Sequence, residues 1–201
     1  MTARPKVYLA GPMVFYPDAE ATFRAMKRIC ARHGLAGVAP TDNQAALRGI
    51  KPGKTLMRAI VKADLALMDR LDGGLFCLDG FRRAPDMDPG TAFEIGYMAA
   101  RGKPGCGWTA DGRSYPLKVA AYFRRNFGAT LHTADPNRRG GTSGAARDPD
   151  DILVHSQGCV QNGMVHVGIE LGGGRVFADI DWRVAFDRAA AHLAKMLTGA
   201  L

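Results

Sequence analysis

Short unbroken apolar runs alternate with helical stripes along most of the chain. Val7-Tyr8-Leu9-Ala10 is such a run, and Gly11-Pro12 stops it, so a buried strand followed by a breaker is predicted. From Asp18 to His33 the apolar positions Phe23, Met26, Ile29 and Cys30 recur at helical spacing, and Gly34 suits the C-terminal cap. Gly37-Val38-Ala39 predicts a short second strand. Thr55 to Leu71 carries Leu56, Ile60, Ala63 and Leu67 on one stripe and predicts a second helix. Gly74 to Leu78 is apolar throughout, as a strand buried on both faces should be. A helix opening at Asp88 follows, and Lys103 to Trp108 predicts a fourth strand.

Alternating strands and helices imply an α/β fold, an open parallel sheet with helices on both faces, formed as a single domain over residues 1–201. Beyond Leu131 the pattern breaks. Asp135-Pro136-Asn137-Arg138-Arg139-Gly140-Gly141-Thr142-Ser143-Gly144 consists of glycine and turn formers, so residues 131–157 are expected to be a mobile loop. Cys159 to Leu171 is expected to be helical, and Ala178 to Leu197 reads as a longer amphipathic helix. In open parallel sheets, ligands bind beyond the C-terminal strand ends, where strand order reverses. Here those ends are Gly11-Pro12-Met13, Asp79, and the loop leading to Asp88.

The chemistry concentrates in Asp88-Pro89-Gly90-Thr91-Ala92-Phe93-Glu94-Ile95-Gly96-Tyr97. Asp88 is a suitable N-cap and Pro89 a suitable first helical residue. Glu94 then lies in the second turn, with Gly90, Thr91, Tyr97 and Met98 as its helical neighbours and no base among them. Phe93, Ile95 and Gly96 suggest a helix packed on most sides, which would desolvate Glu94 and raise its pKa. The helix dipole alone would also favour an acid in this region.

Bulk properties narrow the field. The formal charge of +8 favours an anionic partner, but the arginines are scattered in isolated pairs, Arg82-Arg83, Arg124-Arg125 and Arg138-Arg139. Cys30, Cys77, Cys106 and Cys159 show no paired metal or redox spacing, so a reduced, cytoplasmic protein is expected. No apolar stretch reaches transmembrane length, and no apolar run follows the first charged residues, so neither membrane span nor signal peptide is expected. His155 and His166 are too far apart for helical ligand spacing, and neither metal nor cofactor is called for.

Tyr8-Leu9-Ala10-Gly11-Pro12, Asp42-Asn43-Gln44, Ala63-Asp64-Leu65, Asp72 and the Asp88–Tyr97 segment, taken in order, resemble the nucleoside 2-deoxyribosyltransferase family. The resemblance covers Val7 to Pro104 and returns at Asn162-Gly163-Met164. It implies a flavodoxin-like sheet and exchange of the base on a 2′-deoxynucleoside, with free purine or pyrimidine bases as co-substrates. On the matching positions Glu94 would be the nucleophile, Asp64 and Asp88 would handle the proton of the leaving base, and Tyr8 would hold the Glu94 carboxylate. Gln44 would contact the base, Gly11 would border the substrate, and Asn162 and Met164 would reach a neighbouring subunit's site in a homo-oligomer. The segment from Ala129 to Gly158 is longer than in compact members of the family.

Other readings stay open at this level. Tyr8 could be core, Asp64 a solvated helix residue, and Asn162 and Met164 helix surface and core. Asp72 and Asp79 read as structural, capping or ending strand connections. Water in place of the acceptor base would give a deoxynucleoside or deoxynucleotide N-glycosidase, with Arg82 and Arg83 as phosphate ligands. A nucleotide- or nucleic-acid-binding module would require basic and aromatic residues on one surface. The aromatics here fall mainly in apolar runs, which argues against nucleic acid.

Overall fold

Strand β1 (Lys6–Ala10) points Val7 and Leu9 to one side and Tyr8 and Ala10 to the other, and all four are buried. Both faces are therefore covered, the condition under which parallel strands persist. The computed structural model describes residues 3–133, 145–154 and 157–200, with the side chains of residues 44–46 outside the description. Strands β2 (Ala36–Val38), β3 (Gly73–Cys77), β4 (Gly105–Thr109) and β8 (Val176–Ala178) complete a five-stranded, wholly parallel sheet in the order β2-β1-β3-β4-β8. That is the flavodoxin-like arrangement, with its reversal of strand order between β1 and β3. The register pairs Tyr8 with Gly74 and Ala10 with Phe76, so the two strands end side by side.

Helices α1 (Ala19–Arg32) and α6 (Trp182–Thr198) cover the face presented by Val7, Leu9, Leu75, Cys77 and Trp108. Helices α2 (Lys54–Asp69), α3 (Pro89–Ala100) and α5 (Gly163–Leu171) cover the face of Tyr8, Ala10, Phe76 and Leu78, through Leu67, Met68, Ile95, Met98 and Ile169. The glycines that dilute the apolar signal of β4 have a steric reason. A Cβ on Gly105 would stand 2.2 Å from the Phe76 ring, and one on Gly74 2.4 Å from it. Phe76 therefore fills the space that two neighbouring side chains would otherwise claim.

Several elements depart from the pattern-based expectation. Helix α4 (Tyr115–Phe127) was not foreseen; it buries only Lys118 and Val119. Strand β8 has three residues, and α6 begins after it at an Asp181 cap rather than at Ala178. Helix α5 starts at Gly163, four residues later than Cys159, because the Asn162 side chain caps it. Within the stretch expected to be a loop, β5 (His132–Thr133), β6 (Ala146–Arg147) and β7 (Leu153–Val154) form a small antiparallel sheet. Residues 134–144 and 155–156, where most of the glycine-rich segment falls, lie outside the described residues. Among the described residues no helix is long and apolar enough to cross a membrane.

Candidate active site

The end of β1, the start of α3 and the middle of α2 converge at the switch in strand order. Asp88 caps α3, with its Oδ2 accepting from the Thr91 amide at 2.8 Å and from the Thr91 hydroxyl at 3.0 Å. Its Oδ1 has no hydrogen-bond partner among the described residues. The cap and Pro89 fix the first turn, and the next turn aims Glu94 at the sheet. The Tyr8 hydroxyl, on a fully buried ring, donates to Glu94 Oε1 at 2.8 Å. The partner of Glu94 is thus a strand residue 86 positions away rather than a helical neighbour. Helix α3 is not packed on most sides, which corrects the expectation: Phe93 is 58% exposed and Gly96 is exposed as well. Only the Thr91, Ile95 and Met98 stripe is buried, and Glu94 lies half-buried beside it.

Burial pushes the Glu94 carboxyl up to about 7; the Tyr8 hydrogen bond opposes that shift, while the charges of Asp64 and Asp88 add to it. Burial alone pushes Asp64 up to about 6. The Tyr8 hydroxyl is driven far above its ordinary range, first by burial and then by the Glu94 and Asp64 charges, so it remains a donor. Both carboxyls are thus raised towards neutral pH, Glu94 to about 7 and Asp64 to about 6. A bound ligand can therefore decide which of the two holds the proton.

Asp64, Asp88 and Glu94 border one cavity of about 350 Å³, within the range of small-molecule sites. Gly11, Val14 and Phe15 wall it after β1, and Pro40, Thr41 and Leu47 belong to the 3₁₀ segment Pro40–Leu47. Met57 and Ile60 of α2 face it from the other side. Gly11 is required here by close approach, since a Cβ would meet Cys77 Cβ and the Met13 side chain at 2.6 Å. The family model described as nucleoside 2-deoxyribosyltransferase matches residues 7–164 of this chain.

The protein belongs to the nucleoside 2-deoxyribosyltransferase family.

A protein of Schizosaccharomyces pombe described as uncharacterized is 48% identical over 193 residues, spanning 96% of this chain and 90% of its own. The solved 2-desoxiribosyltransferase from Leishmania mexicana superposes with a TM-score of 0.60 at 24% identity, covering 94% of this chain and 98% of that one. A conserved protein from Enterococcus faecalis V583 gives a TM-score of 0.55 at 17% identity, over 92% and 99% of the two chains. These two structural likenesses bear on the fold.

In this family member, the remaining positions named from the sequence are distributed as follows. The Gln44 backbone belongs to the 3₁₀ segment that walls the cavity, and its side chain lies outside the described residues. Asp42 pairs with Lys27 at 2.6 Å and accepts from the Ala39 amide, and Asn43 donates to the Ala63 carbonyl, so both anchor that segment. Asn162 and Met164 do not border the Glu94 cavity. Asn162 caps α5 by accepting from the Met164 amide at 2.9 Å, and Met164 is 86% exposed. Asp72 accepts from the Lys6 amide and Asp79 from Thr109 and Ala110, which are structural duties at strand ends. Gln161 was missed by sequence reasoning. It is buried, and its amide donates to the carbonyls of Leu78 and Pro85, tying down the loop that carries Asp88. No periodicity or motif marks it.

Proposed function

We propose that the protein transfers a 2′-deoxyribosyl group between nucleobases through an ester on Glu94, with net retention at C1′. The observation that carries this reading is the Glu94 carboxylate, held by Tyr8 and set beside Asp64 and Asp88 in one mostly apolar cavity. Two carboxyl groups with poised protonation are what cleavage of a glycosidic bond requires. In the first half-reaction a Glu94 oxygen attacks C1′ and the bond from C1′ to the base nitrogen breaks. The bonding pair leaves with the base, which takes a proton from the acid side, assigned to Asp64 with Asp88. In the second half-reaction an acceptor base attacks C1′, the ester bond breaks back to the Glu94 carboxylate, and the acceptor's proton returns to the acid side. The Tyr8 hydroxyl keeps one Glu94 oxygen occupied and leaves the other directed at the cavity.

Burial places Asp64 at about 6, slightly below Glu94 at about 7. Positive charge developing on the sugar next to Glu94, and a basic nitrogen next to Asp64, would invert that order. The apolar walls Val14, Phe15, Leu47, Met57 and Ile60 suit a flat heterocycle.

The assembly is proposed to be a homo-oligomer in which Asn162 and Met164 complete a neighbour's site. Phe93 on α3, together with Met164, Val167 and Leu171 on the adjoining α5, leaves an apolar surface uncovered, with Leu171 85% exposed. A cytoplasmic location is proposed from the four buried, unpaired cysteines.

The test is incubation with deoxyinosine or thymidine, with and without adenine, resolving new deoxynucleoside from free base. Deoxyadenosine formation that depends on adenine supports transfer. Base release at the same rate with and without adenine, and no new nucleoside, would assign the same scaffold to hydrolysis.

A further inference from the structure

A second cavity, of about 150 Å³, lies between α4 and the loop joining β3 to α3. Lys118 is built into it and is 5% exposed. Its ammonium donates to the Val160 carbonyl at 2.8 Å and forms no salt bridge among the described residues. Two of its three N–H groups therefore have no acceptor there. Burial pushes its pKa down; the charges of Asp111 and Asp79 oppose that shift in part, and the Arg113 charge adds to it. A buried ammonium without a direct ion pair is costly, and such groups normally acquire a partner.

The charged side chains that line the cavity are mostly cationic. Arg83, Arg113 and Arg125 border the same cavity. Arg113 is engaged by Asp111, through a contact of 2.6 Å. Arg83 and Arg125 have no carboxylate partner among the described residues. One carboxylate thus faces four cations. Arg83 is also held in a left-handed backbone conformation, with φ +65° directly after Arg82 at +52°. Non-glycine residues take that conformation at a cost and persist in it where the surroundings demand it.

We propose that this cavity binds a phosphate-type oxyanion, with Lys118 at its floor and Arg83, Arg113 and Arg125 at its rim. A phosphate group carries nearly two negative charges at neutral pH and three strong acceptor oxygens. It would take the free Lys118 protons and the planar guanidinium forks together. The site is separate from the Glu94 cavity. Gly80, Ala84 and Pro85 line the cationic side of the loop, while the Phe81 ring of that loop lies tilted against Phe15, centroids 5.6 Å apart, and Phe15 walls the Glu94 cavity. The proposal does not depend on deoxyribosyl transfer.

The test is calorimetric titration of the full chain with inorganic phosphate against sodium chloride of equal ionic strength, in parallel with Arg83→Ala/Arg125→Ala and Lys118→Met. Phosphate should bind the wild type, and the double arginine variant should lose roughly tenfold or more in affinity, the scale of a lost charge-assisted hydrogen bond. The two arginines are exposed, so that variant carries the test even where Lys118→Met fails to fold. A deoxynucleoside 5′-monophosphate that displaces phosphate identifies an ester phosphate as the ligand; failure to displace identifies free phosphate, and both support the site. Phosphate binding no stronger than chloride, equal affinity in the double variant, or displacement by an unphosphorylated deoxynucleoside would overturn it.

Discussion

Replacing Glu94 with Gln should abolish turnover and stabilise the fold, and the two effects together separate a desolvated nucleophile from a structural residue. Glutamine keeps an acceptor for the Tyr8 hydroxyl and removes the charge. The carboxyl ionises near 4.5 in the unfolded chain and near 7 in the folded one. Between those values the folded chain holds more protons than the unfolded chain. The stability contributed by the neutral form is therefore complete below about 4.5 and lost as pH rises through about 7. On that basis ionised Glu94 costs the fold about 3 kcal/mol at about pH 8, about 1 kcal/mol near pH 5.5, and almost nothing near pH 4. For a chain of this length, about 3 kcal/mol corresponds to a rise in Tm of roughly 6–12 °C. Thermal unfolding of wild type and Glu94→Gln, followed by circular dichroism at these three pH values, reads the difference directly. The variant's advantage should open from near zero at the acid end to its full size at the alkaline end. An advantage independent of pH, or a variant less stable than wild type at about pH 8, would refute the reasoning.

Four further outcomes test the site and its assembly. The wild-type profile of kcat/KM should be bell-shaped, with limbs near the 6 and 7 of the Asp64–Glu94 pair. Tyr8→Phe removes the contact that lowers the Glu94 pKa, so the alkaline limb, set by the higher-titrating Glu94, should move to higher pH, with kcat reduced about tenfold to hundredfold; an unmoved limb would make Tyr8 a packing residue. Asp64→Asn should slow transfer from natural bases more than from a substrate with an activated leaving group, because acid assistance matters less when the base departs easily; equal losses with both substrates would remove Asp64 from proton handling. Mixed oligomers reassembled from Glu94→Ala and Asn162→Ala chains should regain part of the activity, as measured by base exchange, whereas no recovery in verified mixed oligomers would confine Asn162 to its own subunit.

The parallel sheet was legible because β1 and β3 are unbroken apolar runs, and a strand buried on both faces leaves that mark. The opening of α3 was legible because Asp88 and Pro89 are local signals, and the Asp88 carboxylate does accept from Thr91. What surrounds Glu94 was less so. Phe93 and Gly96 looked like core in sequence and are exposed, since apolar character does not reveal which side of a helix meets the sheet. The Tyr8–Glu94 contact spans 86 residues and reached the sequence reading only through resemblance to the family. Helix α4 buries a lysine, Lys118, beside Val119, and residue type alone would have placed that lysine at the surface. The three-residue β8 carries too little pattern to stand out against the amphipathic helix that follows it.

The central claim is that Glu94 forms the bond to the sugar. Rapid acid quenching of the enzyme during turnover of a deoxynucleoside, followed by peptide mass spectrometry, tests it most directly. The account predicts a deoxyribosyl adduct on the peptide containing Glu94, mapped to that residue and absent from Glu94→Gln. An adduct mapped to Asp64 or Asp88, or none in a sample that is turning over substrate, would contradict it.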